Sequence, residues 1–150
     1  MTQHLKIAAI IFLAVSALGF VDATYLTIEH YRRSIPPCTI QGCEIVLTSE
    51  YAKIAGIPVA LLGSLYYLAL LILSIAYLDS KKMAIIRFVS YCTIAGFTAS
   101  FYFVYLMLFV LKEICQYCLV SATTSTLLFI TGMYVIIKAR QKSDGVKELK

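Results

Sequence analysis

Four long apolar stretches constrain this chain more than any other feature. They cover residues 7–28, 57–78, 84–110 and 114–137, and the second and fourth contain no charged residue. A helix needs about 20 apolar residues to cross the hydrocarbon core of a bilayer, and helices satisfy their own backbone hydrogen bonds there. We therefore expect an all-α integral membrane protein that folds as a four-transmembrane-helix bundle. Residues 1–150 are expected to form a single membrane domain.

The distribution of basic residues predicts the orientation of these spans. Of the 13 Lys and Arg residues, 9 lie in the N-terminus, the 79–87 turn and the C-terminal tail 138–150. Because basic residues favour the cytoplasmic side, we expect both termini on the cytoplasmic side of a cell membrane. The long loop 29–56 and the short turn 111–113 then face outward. The same distribution gives no basic stripe, so the net charge of +5 does not predict a nucleic-acid partner.

Four cysteines are expected on the outer side of this topology. Cys38 and Cys43 lie in the outward loop, and Cys115 and Cys118 begin the fourth span. Two pairs far apart in sequence are therefore predicted to meet on the oxidising face of the membrane. Thiols spaced i, i+3 at a helix start can close a disulfide, and a helix N-terminus favours the reactive thiolate. The arrangement predicts a redox site.

Two other interpretations of these cysteines stay open. Pro36, Pro37 and Gly42 suit a tight local disulfide between Cys38 and Cys43, and such a bond could be an inert staple of the loop. Four thiolates could also hold zinc or an iron–sulfur cluster, although the spacing and the outward location favour disulfides and we expect no metal. The fifth cysteine, Cys92, lies within the third span and is expected to be a small apolar packing residue.

Other polar residues near the spans are expected to have interfacial roles. Asp22 lies within the first span, near its predicted outer end, and His30 follows that span. Ionisable residues inside membranes are often functional, but depth favours solvation at the interface for both side chains. The tyrosines near the span ends suit either interfacial belts or the wall of an aromatic pocket.

The segment after Cys43 predicts a lid on the bundle. Residues 45–47 are apolar within an otherwise polar loop, which indicates a short amphipathic segment lying on the bundle. Gly56 and Pro58 suit a sharp entry into the second span, and Gly63 would permit close helix packing.

These elements together resemble the vitamin K epoxide reductase family, including its bacterial disulfide-forming members. The resemblance extends over about residues 10–137. It is carried by Tyr25-Leu26-Thr27, the Cys38/Cys43 loop pair, Ser49, Gly56-Ile57-Pro58, Gly63 and the Cys115–Cys118 pair. Each element alone is weak, whereas their order and placement are specific.

The resemblance implies a role for each cysteine. Cys115 and Cys118 would be the active-site pair, with Cys118 next to a quinone ring. Cys38 and Cys43 would be the shuttle pair, in which Cys43 exchanges with Cys115 and Cys38 meets an outside thiol protein. Ser49 would hydrogen-bond a quinone carbonyl or shape its pocket. The implied function is a thiol–quinone oxidoreductase that generates disulfides for extracytoplasmic proteins.

Two departures from the family pattern narrow this expectation. Some members carry a fused thioredoxin-like domain, and this chain ends soon after the fourth span, so we expect a separate thioredoxin-like or DsbA-like partner. Vertebrate members have a tyrosine four residues after the second active-site cysteine, where this chain has Ala122. We therefore expect a respiratory quinone of the ubiquinone or menaquinone type.

Two functions other than catalysis are compatible with the pattern. A membrane binding or structural protein could use two inert disulfides to staple its outer cap. A small transporter is the third hypothesis, but charged residues are scarce within the spans, which counts against a polar substrate path.

Overall fold

Four long helices dominate the computed structural model, which describes residues 3–147. They are α1 (Gln3–Arg32), α3 (Val59–Ser80), α4 (Met83–Tyr105) and α5 (Gln116–Lys147), and a π-helix extends α4 over Leu106–Leu111. Each is long and apolar enough to cross a membrane. The expected all-α membrane bundle is thereby confirmed. Residues 148–150 of the predicted cytoplasmic tail lie outside the described residues, whereas its earlier part is helical because α5 continues to Lys147.

The segment between α1 and α3 contains more structure than a polar loop. It forms a short helix α2 (Cys43–Thr48), a 3-10 turn (Glu50–Ala52) and a hairpin of β1 (Lys53–Ile54) with β2 (Ile57–Pro58). Ala55 and Gly56 connect the strands with φ values of 51° and 82°. Positive φ at both central residues is the mark of a two-residue type I′ turn, whose twist matches the paired strands. The hairpin leads directly into Val59, so the chain enters α3 without a linker.

The core lies where α1, α3 and α5 meet and where α4 packs on α5. Its largest fully buried side chains include Phe12, Tyr67, Leu70, Ile86 and Leu128. Lipid covers the outer faces of the bundle, so large apolar residues are exposed along every long helix. Helix association in lipid depends on packing and on hydrogen bonds between helices, rather than on the hydrophobic effect alone.

One buried tyrosine joins α3 to α5. The Tyr67 hydroxyl lies 2.8 Å from Thr124 Oγ1 and 3.0 Å from Ser125 Oγ, and it donates to the Ser121 carbonyl at 3.1 Å. A phenol in an apolar interior needs such partners, because an unpaired hydroxyl there is costly. This cluster holds the second and fourth membrane helices together near the middle of the bundle.

The same tyrosine requires a glycine on α1. A Cβ added at Gly19 would overlap the Tyr67 ring, whereas a Cβ at Gly63 would meet Ala23 Cβ at 3.7 Å, an ordinary contact. Close packing of α1 against α3 therefore depends on Gly19. It does not depend on Gly63, so the expectation for that residue was wrong.

We predict that Gly19→Ala destabilises the bundle and that Gly63→Ala does not. The added methyl group must displace the Tyr67 ring from its hydrogen bonds, and overpacking of this kind costs about 1–3 kcal/mol. Thermal unfolding of the two variants in the same detergent measures the difference. Equal melting temperatures for Gly19→Ala and the unmodified protein would contradict the packing described for Tyr67.

Candidate functional site

The loop pair of cysteines forms a disulfide at the start of α2. Cys38 is bonded to Cys43, with 6.3 Å between their Cα atoms. Gly42 precedes Cys43 with a φ of 104°, a conformation that favours glycine. A Cβ at this position would also overlap the carboxylate of Glu113. Glycine is therefore favoured here by the backbone conformation, and a larger residue would also have to displace the Glu113 side chain in the turn that precedes α5.

The second pair lies at the N-terminus of α5, and Cys115 is the residue that caps it. The Cys115 carbonyl accepts the Leu119 N–H at 3.1 Å, the first hydrogen bond of the helix. Its sulfur lies near the Cys118 thiol and the backbone N–H groups of Tyr117 and Cys118, which favour its thiolate form. A side-chain acceptor near the first N–H groups of a helix is what N-cap residues usually provide.

These neighbouring groups make the Cys115 thiol more acidic than that of an ordinary cysteine. The Cys118 thiol contributes most, and together with the two N–H groups it lowers the pKa of Cys115 below its usual value. Burial and the nearby Asp22 carboxylate act in the opposite direction without reversing the effect. A thiolate is the form that attacks disulfides. Cys115 and Cys118 are both free thiols, as is Cys92.

The two pairs meet in one small apolar cluster. Cys43 and Cys115 are 1% and 0% exposed, and they pack together with Val46 and Met107. Cys38 and Cys118 contact the edge of this cluster and are only half-buried. The structure therefore brings all four predicted cysteines together, with Cys43 and Cys115 buried at the centre and Cys38 and Cys118 both more exposed at its edge.

Hydrogen bonds tie the disulfide loop to the first turn of α5. The Thr39 N–H and hydroxyl both donate to Gln116 Oε1, the former at 3.2 Å. The Tyr117 hydroxyl donates to the Pro37 carbonyl at 2.9 Å. Each bond joins a neighbour of Cys38 to a residue between Cys115 and Cys118. The two residues inside the Cys-x-x-Cys motif thus hold the loop against the cysteines that flank them.

The π-helix at the end of α4 packs against the cysteine cluster. Wide helical turns of this kind are rare and occur frequently at functional sites. Met107 lies in this segment, where its sulfur accepts the Cys115 N–H at 3.4 Å and its carbonyl accepts the Glu113 N–H at 3.2 Å. Lys112 then adopts a φ of 55°, which reverses the chain within four residues of Cys115.

A large cavity opens beside Cys118. It measures about 1050 Å³ and is lined by residues of all four long helices and of the loop, including Asp22, Ser49, Tyr66, Cys118 and Ala122. Its wall is mostly apolar, with a few polar groups, as in sites for small organic ligands. The Ser49 hydroxyl donates to the Val46 carbonyl at 2.8 Å, so in this conformation its oxygen is available as an acceptor.

Three features of the site were not predicted from the sequence. The sequence pattern gives no role to Gln116 and Tyr117, although they hold the loop. It leaves two roles open for the tyrosines, and in the structure Tyr66 and Tyr67 line the cavity, whereas Tyr102 and Tyr105 are exposed. Asp22 was expected to be solvated at the interface, but its Oδ2 atom is buried. That expectation was wrong for this oxygen.

A family model described as "Vitamin K epoxide reductase family" matches residues 10–133, which include most of α1, the cysteine loop, α3, α4 and the first part of α5.

We predict that Cys118→Ala raises the pKa of Cys115 and that Cys118→Ser leaves it low. Alanine removes the group that lowers the pKa of Cys115 most, while serine keeps a hydroxyl donor in its place. With the Cys38–Cys43 disulfide intact and Cys92→Ala as background, Cys115 is the single free thiol. Its ultraviolet thiolate absorbance should then appear at higher pH in the alanine variant. Coincident titrations for the two variants would contradict the role given to Cys118.

Proposed function

We propose, because this chain belongs to the vitamin K epoxide reductase family, that it generates disulfides in proteins outside the cytoplasm. Family membership makes it a membrane oxidoreductase of the type that links disulfide chemistry to quinones. The finer proposal is a route for two electrons, from a separate thioredoxin-like protein through Cys38/Cys43 and Cys115/Cys118 to a membrane quinone. The observation that carries it is the burial of Cys43 and Cys115 in one cluster.

The exposures of the four cysteines support the order of exchange. Cys38 is half-buried in the loop, so a partner thiolate can reach its sulfur, whereas Cys43 is fully buried. Attack on Cys38 forms a mixed disulfide with the partner and releases Cys43 as a thiolate. Cys43 is then beside Cys115, and an in-line attack on an oxidised Cys115–Cys118 pair releases Cys118. Cys118 borders the cavity, at the end of this route.

The electrons and protons of this exchange balance without any further reductant. The partner's second thiol attacks its own mixed disulfide and leaves Cys38 as a thiolate. Cys38 then attacks the Cys43–Cys115 bond, which restores the loop disulfide and releases Cys115. The partner has lost two electrons and two protons, and Cys115 and Cys118 have become thiols. A loop disulfide together with free Cys115 and Cys118, as found here, corresponds to this point of the cycle.

The cavity fits a quinone head group with part of its tail. Its mostly apolar wall suits a flat ring and an isoprenoid chain, and Cys118, Ser49 and Tyr66 supply polar atoms. A quinone accepts two electrons and two protons when it is reduced. Cys118 would present its sulfur to the quinone, and the Ser49 hydroxyl would turn from the Val46 carbonyl to donate to a quinone carbonyl. Ala122 lines the cavity where vertebrate members have a tyrosine, which favours a respiratory quinone of the ubiquinone or menaquinone type.

The proposed orientation places the cysteines outside the cytoplasm. Lys81 and Lys82 lie in the turn between α3 and α4, at the end of the bundle opposite to the cysteine loop. Basic residues favour the cytoplasmic side, so both termini would be cytoplasmic in a cell membrane. The disulfide loop would then face an oxidising compartment, where a soluble thiol partner can reach Cys38.

A stapled binding or structural protein is the alternative function. An inert staple does not require Cys43 to be buried against a second cysteine with a lowered pKa. The alternative requires that no electrons pass between the two pairs, and the experiments below distinguish it from catalysis.

We predict that Cys118→Ala abolishes quinone reduction while Cys92→Ala retains it. The Cys115–Cys118 disulfide cannot form without Cys118, so the two electrons have no route to the cavity. Turnover of purified protein with a thioredoxin-like reductant and a short-chain ubiquinone measures the effect. Unchanged turnover in Cys118→Ala would contradict the proposed route.

We also predict that Gly42→Ala slows the formation of a Cys43–Cys115 disulfide. In a Cys38→Ala, Cys118→Ala background, these two buried cysteines are free to pair, and mass spectrometry of the non-reduced protein detects the link. The added methyl group would overlap Glu113 and move Cys43 away from Cys115. Gly56→Ala is the matched control, since Gly56 also has a positive φ but nothing lies within 4 Å of an added Cβ. Equal pairing rates in the two variants would contradict this positioning of Cys43.

A further inference from the structure

A carboxylate lies within the first membrane helix and borders the cavity. Asp22 is on α1, and it lines the same cavity as Cys118 and Ser49. Among the residues that the structure describes, its buried Oδ2 atom has no hydrogen-bond partner. Ionisable residues inside a membrane are expensive, and a buried polar atom without a partner needs an explanation. Interfacial solvation does not supply one, because this oxygen is inaccessible.

Glu29, two helical turns further along α1, is a carboxylate that does have a hydrogen-bond partner. It accepts a hydrogen bond from the Ser34 hydroxyl, beyond the end of the helix. Asp22 has no such neighbour for Oδ2, although serine and threonine hydroxyls are common in the bundle. Thr27 donates to the Ala23 carbonyl, and the Ser16 and Thr24 hydroxyls have no hydrogen-bond partner among the described residues. Asp22 Oδ2 therefore receives no hydrogen bond from any described hydroxyl.

Asp22 and Cys118 line the same cavity, so the carboxylate and one thiol of the pair border a common space. The negative charge of Asp22 also opposes ionisation of Cys115, because like charges repel. The carboxylate thus borders the space into which the electrons of the pair are proposed to leave.

We propose that Asp22 carries a proton from the Cys115/Cys118 pair to the quinone, an inference that rests on the function proposed above. Closing the Cys115–Cys118 bond removes two electrons and two protons from the thiols. The Asp22 carboxylate accepts one of these protons and donates it to one quinone oxygen, and the other thiol proton passes to the second oxygen. The bound quinone is reduced to the quinol, and Asp22 returns to the carboxylate. Proton transfer by a positioned side chain typically accelerates a step by about 10²–10⁴-fold.

The test uses the full-length protein with both thiols of the pair reduced. Oxidation of this pair by a short-chain ubiquinone is followed in a single turnover for Asp22→Asn, Asp22→Glu and Asp79→Asn. Asp79→Asn is the matched control, because it makes the same chemical change at an exposed position near the opposite end of α3. Quinone binding to the oxidised proteins is measured separately by quenching of tyrosine fluorescence, since the chain has 11 tyrosines and no tryptophan.

The expected result is a loss of rate without a loss of binding. Asp22→Asn should slow oxidation by about 100-fold and increase the solvent deuterium isotope effect, while quinone affinity stays unchanged. Asp22→Glu should recover much of the rate, and Asp79→Asn should match the unmodified protein. Recovery by glutamate also shows that the site still folds after substitution.

Two results would overturn the inference, and a third concerns the proposed function. Oxidation of Asp22→Asn at the unmodified rate would exclude proton transfer by this residue. A loss of rate matched by an equal loss of quinone affinity would make Asp22 a binding residue instead. Failure of the unmodified protein to reduce quinone while it still binds would overturn the proposed function itself, and with it the role given to Asp22.

Discussion

The unpaired amide groups at the N-terminus of α5 are the constraint on which the site depends. The first turn of any helix presents N–H groups without partners inside the helix, and they require an acceptor. Here the sulfur of Cys115 lies beside the N–H groups of Tyr117 and Cys118, which favour its thiolate form. The helix terminus and the reactive thiolate therefore stabilise each other. The helix terminus also sets the positions of Gln116 and Tyr117, whose side chains leave the first turn toward the disulfide loop.

Several polar side chains of the bundle have hydrogen-bond partners within the membrane helices. Ser74, Ser90 and Thr98 donate to carbonyls one turn earlier in their own helices. Tyr67 instead reaches from α3 to α5, and Gly19 on α1 leaves room for its ring. Three of the four membrane helices thereby pack together at the wall of the cavity. On the other side α2 contributes Cys43 and Val46 to the redox cluster, and the hairpin lines the cavity.

The fold and the meeting of the cysteines were predictable, because both follow from strong and simple patterns. Four apolar stretches predict four spanning helices, and alternating topology brings Cys38/Cys43 and Cys115/Cys118 to one end. The hairpin at Ala55-Gly56 was not predicted, since its strands have only two residues each and produce no periodic signal. The loop contacts of Gln116 and Tyr117, and the direction of Asp22 into the cavity, depend on how the helices rotate about their axes. Packing between helices decides that rotation, and the apolar pattern of a membrane helix encodes it poorly because lipid-facing and buried residues are alike.

The location of Cys92 has a consequence for the fidelity of disulfide exchange. A chain with five cysteines has an odd thiol, and in any protein that shuffles disulfides an odd thiol can join the wrong partner. Cys92 packs against the helical core, whereas the other four cysteines belong to the cluster around Met107. Fifteen residues of continuous helix separate Cys92 from Met107, which corresponds to about 22 Å along the axis. The Cα atoms of a disulfide are rarely more than about 7 Å apart. The distance along the helix therefore prevents Cys92 from pairing with the other four cysteines, whatever the reactivity of its thiol.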